Sequence, residues 1–337
     1  MSNAPVVGID LGGTNMQVGV VAPDGSVVGR AKRKTKADKP KDELIARIAE
    51  TVNRACDDAG VSLADIAGVG IGAPGAIQPN TGVVVEAPNL RWRNVNLASE
   101  LGAALNGAAV VVENDVNAAI WGENRAGAGE NATDLLGVWV GTGVGGGLAL
   151  QGKLWLGPLG AAGELGHQTI RPDGPHCGCG NRGCLEAIAS GTAIAAEGVR
   201  LMKSGLAPAL HERVEGSADR VTVREMAAIA DQDLRIKESL VDAGKAIGIA
   251  AANVVTILHP DLVVLGGGVA EIGPLLVDTV RQVIRDRVGM FPTDNVRVER
   301  SLLGDQAGLK GALALAVEPV ELSGSDAVMT TREKRHR

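Results

Sequence analysis

Tyrosine is missing from this 337-residue chain, phenylalanine occurs once and tryptophan four times. Its cores must be built from aliphatic side chains, and the scarcity of rings says nothing further about function. No uninterrupted apolar run approaches the roughly 18 residues that a membrane-spanning helix requires. No long basic block interrupts the body of the chain, and 33 Lys and Arg against 39 Asp and Glu give a net charge of −6. That balance argues against nucleic acid as a partner. The opening Met1-Ser2-Asn3-Ala4-Pro5 runs into a strand-like segment, with neither the positive region nor the apolar stretch of a secretory leader. A cytoplasmic protein with no membrane partner is expected. What is present is ordinary for a globular protein: 45% hydrophobic and 21% charged residues. At about 150 residues per domain, the length predicts two domains, each able to bury its own core.

Only four cysteines occur, and three of them, Cys177, Cys179 and Cys184, fall within eight positions, with His167 ten residues ahead of the first. Thiolates plus one imidazole, kept close by glycines that permit tight turns, make a donor set for tetrahedral zinc. Four protein ligands leave no open position, so such an ion is structural rather than catalytic. The competing arrangement is a disulfide between two of these cysteines, but nothing else in the chain points to an oxidising compartment.

Glycine clusters follow three strand-like segments. Val6 to Leu11 leads into Gly12-Gly13-Thr14-Asn15 and a second strand from Met16 to Val21. Leu135 to Val140 leads into Gly141-Thr142-Gly143-Val144-Gly145-Gly146-Gly147, then Leu148 to Leu150 as a returning strand. Leu262 to Leu265 leads into Gly266-Gly267-Gly268. Glycine weakens a strand, so these runs imply close approach of backbone to a ligand, with amide groups aimed at phosphate. Asp10, beside the first turn, can hold magnesium through water. A strand rather than a helix follows the first turn, which separates it from the dinucleotide-binding Gly-x-Gly-x-x-Gly unit.

Two acidic groups of residues complete the picture. Asn114 and Asp115 stand at the end of the apolar strand Ala109 to Val112, where one of them also caps a helix from Val116 to about Arg125. Strand ends of α/β sheets gather substrates, and a carboxylate there can accept a proton from an attacking hydroxyl. Gly163-Glu164-Leu165-Gly166-His167 enters the zinc ligands and Glu186 follows them, so Glu164, His167 and Glu186 are placed for sugar hydroxyls. Alternatively, the two glutamates only orient the zinc shell.

Asp10-Leu11-Gly12-Gly13-Thr14, Asn114-Asp115-Val116-Asn117, Gly141 to Gly147, Gly163 to His167 and Cys177 to Glu186 together resemble the ROK family of sugar kinases and repressors, colinearly from residue 6 to about 315. The segment Glu86 to Trp92 is similar to a stretch of family glucokinases, with Arg91 where a Pro-Gly pair is usual. The resemblance implies an α/β, two-domain hexokinase/actin-like (ribonuclease H-like) fold with mixed sheets and an interdomain active-site cleft. It places a smaller domain at 1–117 plus about 306–320, a larger one at 118–305, and a tail at 321–337. Helices are predicted at Lys41 to Ala59, Val116 to Ala126, Leu234 to Leu258, Pro274 to Val288 and Gly308 to Val317, with a loop-like stretch from Gly205 to Asp219. By resemblance, ATP and magnesium occupy Asp10, Gly12, Gly13, Thr14, Asn15, Gly141, Thr142, Gly143, Gly145, Gly267 and Gly268. A hexose meets Gly75, Asn89, Asn114, Glu164, His167 and Glu186, with Asp115 as general base toward the 6-hydroxyl. Glucose is the expected acceptor; fructose, mannose or an N-acetylhexosamine, polyphosphate as donor, and a non-catalytic sugar sensor are the alternatives. A homodimer or homotetramer is the implied assembly.

Overall fold

The computed structural model describes residues 4–318, and the expected tail at 321–337 lies outside them. The first sheet has the order β3-β2-β1-β4-β8, formed by β1 (Val6–Leu11), β2 (Asn15–Val21), β3 (Val27–Lys34), β4 (Gly68–Ala73) and β8 (Val110–Asn114). β1 and β2 are antiparallel, as are β2 and β3, whereas β1, β4 and β8 run parallel. Interior strands covered on both faces need unbroken apolar runs, as in Val6-Val7-Gly8-Ile9, and β1 is almost wholly buried. The edge strand β3 instead alternates and carries Arg30, Lys32 and Lys34, which discourages pairing with other chains. A small antiparallel sheet, β5 (Ala76–Gln78), β6 (Val83–Ala87) and β7 (Trp92–Asn96), follows β4. Helices α1 (Lys41–Ala59), α2 (Leu97–Ala104) and α3 (Asp115–Ala126) belong to the same half of the chain.

The second five-stranded sheet repeats this plan in the order β11-β10-β9-β12-β13. Its strands are β9 (Leu135–Val140), β10 (Val144–Leu150), β11 (Lys153–Leu154), β12 (Leu262–Gly266) and β13 (Arg297–Arg300). Again a short antiparallel ribbon, β10 with β11, stands at one side and parallel strands β9, β12 and β13 at the other. The indole of Trp139 in β9 lies on Gly266, where an added Cβ would come within 2.5 Å of the ring. Six helices accompany this sheet: α4 (Leu185–Ala189), α5 (Gly191–Lys203), α6 (Pro208–Arg213), α7 (Val223–Ala228), α8 (Leu234–Leu258) and α9 (Pro274–Arg287). One described helix, α8, is long and apolar enough by composition to cross a bilayer, although charged and polar residues interrupt its apolar run. It packs against α9, α4 and α5, which accounts for its apolar face without a membrane.

The last helix, α10 (Ala307–Val317), returns to the first sheet. It packs on β1, β4 and α3, and Leu313 sits where a Cβ on Gly8 would fall. Two compact units result: residues 4–131, 147–163 and 305–318 of those described, and residues 132–146 and 164–304. The boundary expected at 117/118 therefore moves to 131, and 147–163 is added. The cause is packing. Gly122 of α3 abuts the Ala307 carbonyl, and Ala118 and Trp121 form one buried cluster with Leu154, Leu156 and Leu315. The stretch read as a loop from Gly205 to Asp219 contains α6, which is too short to show a helical period but starts at Pro208, a favoured first helical residue.

Candidate active site

In the first unit the catalytic candidates are set by the start of α3. Asn114 is its N-cap: Oδ1 accepts from the Val116 and Asn117 amides at 2.9 and 3.1 Å. Its Nδ2 donates to the Gly75 carbonyl at 3.0 Å. The capping role is therefore real, and one amide hydrogen of Asn114 is left for a ligand. Gly75 holds φ at 104°, a left-handed conformation that suits glycine. Buried Glu113 supports the corner from behind, where Oε1 accepts from the Asn114 amide at 2.8 Å and from Asn117 Nδ2 at 3.0 Å. Asp115 is the first residue of α3, and burial raises its pKa despite the bond from the Val116 amide. Asp10 is raised to about 6, first by burial and then by the negative charge of Asp115, against a smaller opposing effect of Lys32. Two partly buried carboxyls that repel one another invite a divalent cation.

The turn at Gly12 to Asn15 adjoins this pair. Gly12 donates its amide to the Asn15 carbonyl at 3.0 Å. An added Cβ on Gly13 would lie 3.8 Å from the Cβ of Asn89, so the first glycine turn and the segment expected to hold sugar are neighbours. Thr35, which is fully buried, holds the turn from behind: Oγ1 donates to the Gly12 carbonyl at 2.6 Å and its amide to the Thr14 carbonyl at 2.8 Å. Nothing in the sequence singled out Thr35, because its partners lie more than twenty residues away. Arg91, standing where family glucokinases carry Pro-Gly, adopts φ of 55°, a conformation that costs a side-chain-bearing residue energy.

In the second unit the four metal-ligand candidates converge. The ligand atoms of His167, Cys177, Cys179 and Cys184 all lie within 4.8 Å of one another. Cys177 Sγ is 3.6 Å from His167 Nδ1, and Cys179 Sγ is 3.7 Å from Cys184 Sγ. A tetrahedron with Zn–S bonds of about 2.3 Å has edges of about 3.8 Å, so this donor set fits a zinc-sized soft cation. All four cysteines are free thiols, and burial followed by the neighbouring thiols pushes Cys184 up to about 12. A bound cation would hold such a buried thiol as thiolate. Gly180 and Gly183 take φ of 91° and 67°, which lets the short loop fold back on itself.

His167 turns Nδ1 toward the thiols and Nε2 toward Glu164, 3.9 Å from Oε2 and beyond direct hydrogen-bond reach. Glu186 faces the second glycine turn: Oε2 accepts the Val144 amide at 2.9 Å, while Oε1 stands 4.0 Å from Cys177 Sγ. The turn itself is tight, closed by the Gly141 amide on the Gly143 carbonyl at 2.9 Å. Its back is gripped by the start of α5, where the Gly191 amide donates to the Gly141 carbonyl at 2.8 Å and Thr192 Oγ1 to the Thr142 carbonyl at 2.9 Å. Gly267, with φ of 78°, backs onto the end of β9, since a Cβ there would be 2.5 Å from the Val140 carbonyl. The second and third glycine clusters are thereby neighbours.

The glycines of the second and third clusters also shape the local backbone. The strand β10 begins at Val144, so Gly145 and Gly147 are strand residues rather than members of a long loop. A Cβ on Gly147 would meet Asn117 Oδ1 and Ile120 Cδ1 at 2.7 Å, so glycine there admits α3. Gly268 opens a short 3-10 helix over 268–272.

The ROK family model matches residues 6–318. A glucokinase of Thermotoga maritima is 35% identical over 328 residues, covering 95% of this chain and 99% of the relative. The crystal structure of a ROK family glucokinase from Streptomyces griseus, in complex with glucose and AMPPNP, superposes with a TM-score of 0.80 at 33% identity, covering 93% of this chain and 99% of that one. A xylose repressor of Caldicellulosiruptor bescii is 31% identical, covering 93% of this chain and 78% of the repressor. The α/β hexokinase/actin-like fold that the glycine turns, strand orders and closing helix describe thus has a named lineage: this chain belongs to the ROK family.

Proposed function

We propose that the protein is an ATP-dependent glucokinase, which transfers the γ-phosphoryl group to the 6-hydroxyl of glucose. The observation that carries this reading is Asp115: a carboxylate at the capped start of α3, made more basic than usual by burial, whose charge adds to burial in raising Asp10 to about 6. A sugar-sensing protein has no use for a base, and the glucokinase relatives support the catalytic alternative. Asp115 accepts the hydroxyl proton as the oxygen attacks phosphorus. Phosphoryl transfer asks mainly for alignment and charge neutralisation, which the amides of the two glycine turns supply. Asp10 fits magnesium, which when bound neutralises charge on the phosphates. His167, Cys177, Cys179 and Cys184 fit zinc, which when bound closes the loop between Glu164 and Glu186. Glu164 and His167 Nε2, 3.9 Å apart, can share one sugar hydroxyl between them. In the first unit Gly75, Asn89 and the free amide hydrogen of Asn114 are the sugar candidates and Gly12, Gly13, Thr14 and Asn15 the nucleotide candidates; in the second unit Gly141, Thr142, Gly143 and Gly267 are the nucleotide candidates. Four free thiols suit the reducing cytoplasm.

The deciding experiment is a coupled assay with ATP or polyphosphate against glucose, fructose, mannose and N-acetylhexosamines. Glucose 6-phosphate as the preferred product with ATP supports the proposal. Zinc-loaded protein that binds glucose and phosphorylates no hexose overturns it in favour of a sensor. Glu164→Gln and Glu186→Gln separate sugar contact from metal support: each should weaken glucose binding at unchanged zinc content, and zinc loss would assign them to the metal shell instead.

A further inference from the structure

The amide and carbonyl of a trans peptide point in opposite directions. Whatever ties back the carbonyls of a glycine turn therefore decides where its N–H groups aim. In the first turn Thr35 Oγ1 holds the Gly12 carbonyl at 2.6 Å, and the Thr35 amide holds that of Thr14 at 2.8 Å. The amides of the same two peptides, belonging to Gly13 and Asn15, are thus directed to the other side. In the second turn Thr192 Oγ1 holds the Thr142 carbonyl at 2.9 Å, and the Gly191 amide holds that of Gly141 at 2.8 Å. That arrangement directs the amides of Gly143 and Thr142 away from α5. One device is built twice, from residues far apart in sequence, in two separate units.

We infer that Thr35 and Thr192 are positioning residues that aim the amides of the two glycine turns at nucleotide phosphate. The inference rests on the kinase reading above. A carbonyl left free to rotate would present a partial negative charge to the phosphates and withdraw an N–H from them. The hydroxyl matters, not the bulk, so valine removes the function at constant shape and serine keeps it. At Thr35 valine also leaves the Gly12 carbonyl without its hydroxyl donor in a part-buried place, which carries the larger penalty.

The test measures binding of AMPPNP and of glucose separately, by calorimetry on zinc-loaded full-length protein. Thr35→Val and Thr192→Val should each weaken AMPPNP binding about five- to tenfold, the scale of one lost hydrogen bond. Glucose affinity should stay within about twofold, and KM for ATP should rise more than kcat falls. Thr35→Ser and Thr192→Ser should restore nucleotide affinity. Thr192 is exposed, so Thr192→Val decides the matter even if Thr35→Val does not fold. Wild-type AMPPNP affinity in Thr192→Val, or a loss of glucose and nucleotide binding together that serine does not restore, overturns the inference alone. Wild-type protein that binds glucose but no AMPPNP overturns the kinase reading and this inference with it.

Discussion

Ionising Asp10 works against the fold. Its folded pKa of about 6 lies above the ordinary 3.8, so the folded state holds this proton more tightly than the unfolded chain. Stability from this group is present at low pH and is lost as pH rises from 3.8 to about 6. At neutral pH the cost approaches about 3 kcal/mol, taking roughly 1.4 kcal/mol for each unit of pKa. Asp10→Asn should therefore raise stability above pH 6, read from denaturant midpoints at pH 4 and pH 8, while abolishing phosphoryl transfer. Equal stability gain at both pH values would show that charge is not the cause. Asp115→Asn keeps the helix start but removes the base, and kcat should fall about 10²–10⁴-fold with the melting temperature preserved. More than a tenth of wild-type kcat in that variant would place the base elsewhere. Both carboxylates were visible in the sequence because each ends an apolar strand. Thr35 and Thr192 were not, since their value lies in two distant carbonyls that only folding brings near.

Among the elements, legibility followed length. The helical period predicts α1 and α8 with the ends observed, Lys41–Ala59 and Leu234–Leu258, since nineteen and twenty-five residues average over local exceptions. The small sheet β5-β6-β7, with strands of three to five residues, left no such trace, and neither did α6. In the glycine run 141–147, packing of α3 on Gly147 and phosphate binding ask for the same residue, so sequence alone does not separate the two demands. At Arg91 an apparently minor difference in sequence became a backbone fact: the residue joins the 3-10 turn 88–90 to β7 in the left-handed region, at φ of 55°. Arg91→Gly should stabilise the protein by about 1 kcal/mol, seen as a raised denaturant midpoint at constant slope. A loss of stability on this exchange would mean that the exposed arginine makes contacts worth more than the strain.

Across the whole molecule, two sheets of the same strand order each carry a core of their own, and the metal candidates belong to loops of the second unit alone. Cys179→Ser should release zinc and activity together while the melting transition and far-ultraviolet circular dichroism survive, unlike in a small zinc finger. Cys56→Ser, in the buried face of α1, should retain one zinc per chain. Equal metal loss from both variants would dismantle the ligand set. The near absence of aromatic residues has a practical corollary. With no tyrosine and four tryptophans, the chain's intrinsic emission is tryptophan emission alone. Trp92 and Trp121 are buried in the first unit, and Trp155 is partly exposed. Trp139 lies flat on Gly266, two positions before the turn that begins at Gly141, so it borders both glycine clusters of the second unit. On the proposed function, Trp139 should therefore serve as an optical probe of nucleotide arrival, placed by a glycine that leaves room for an indole ring.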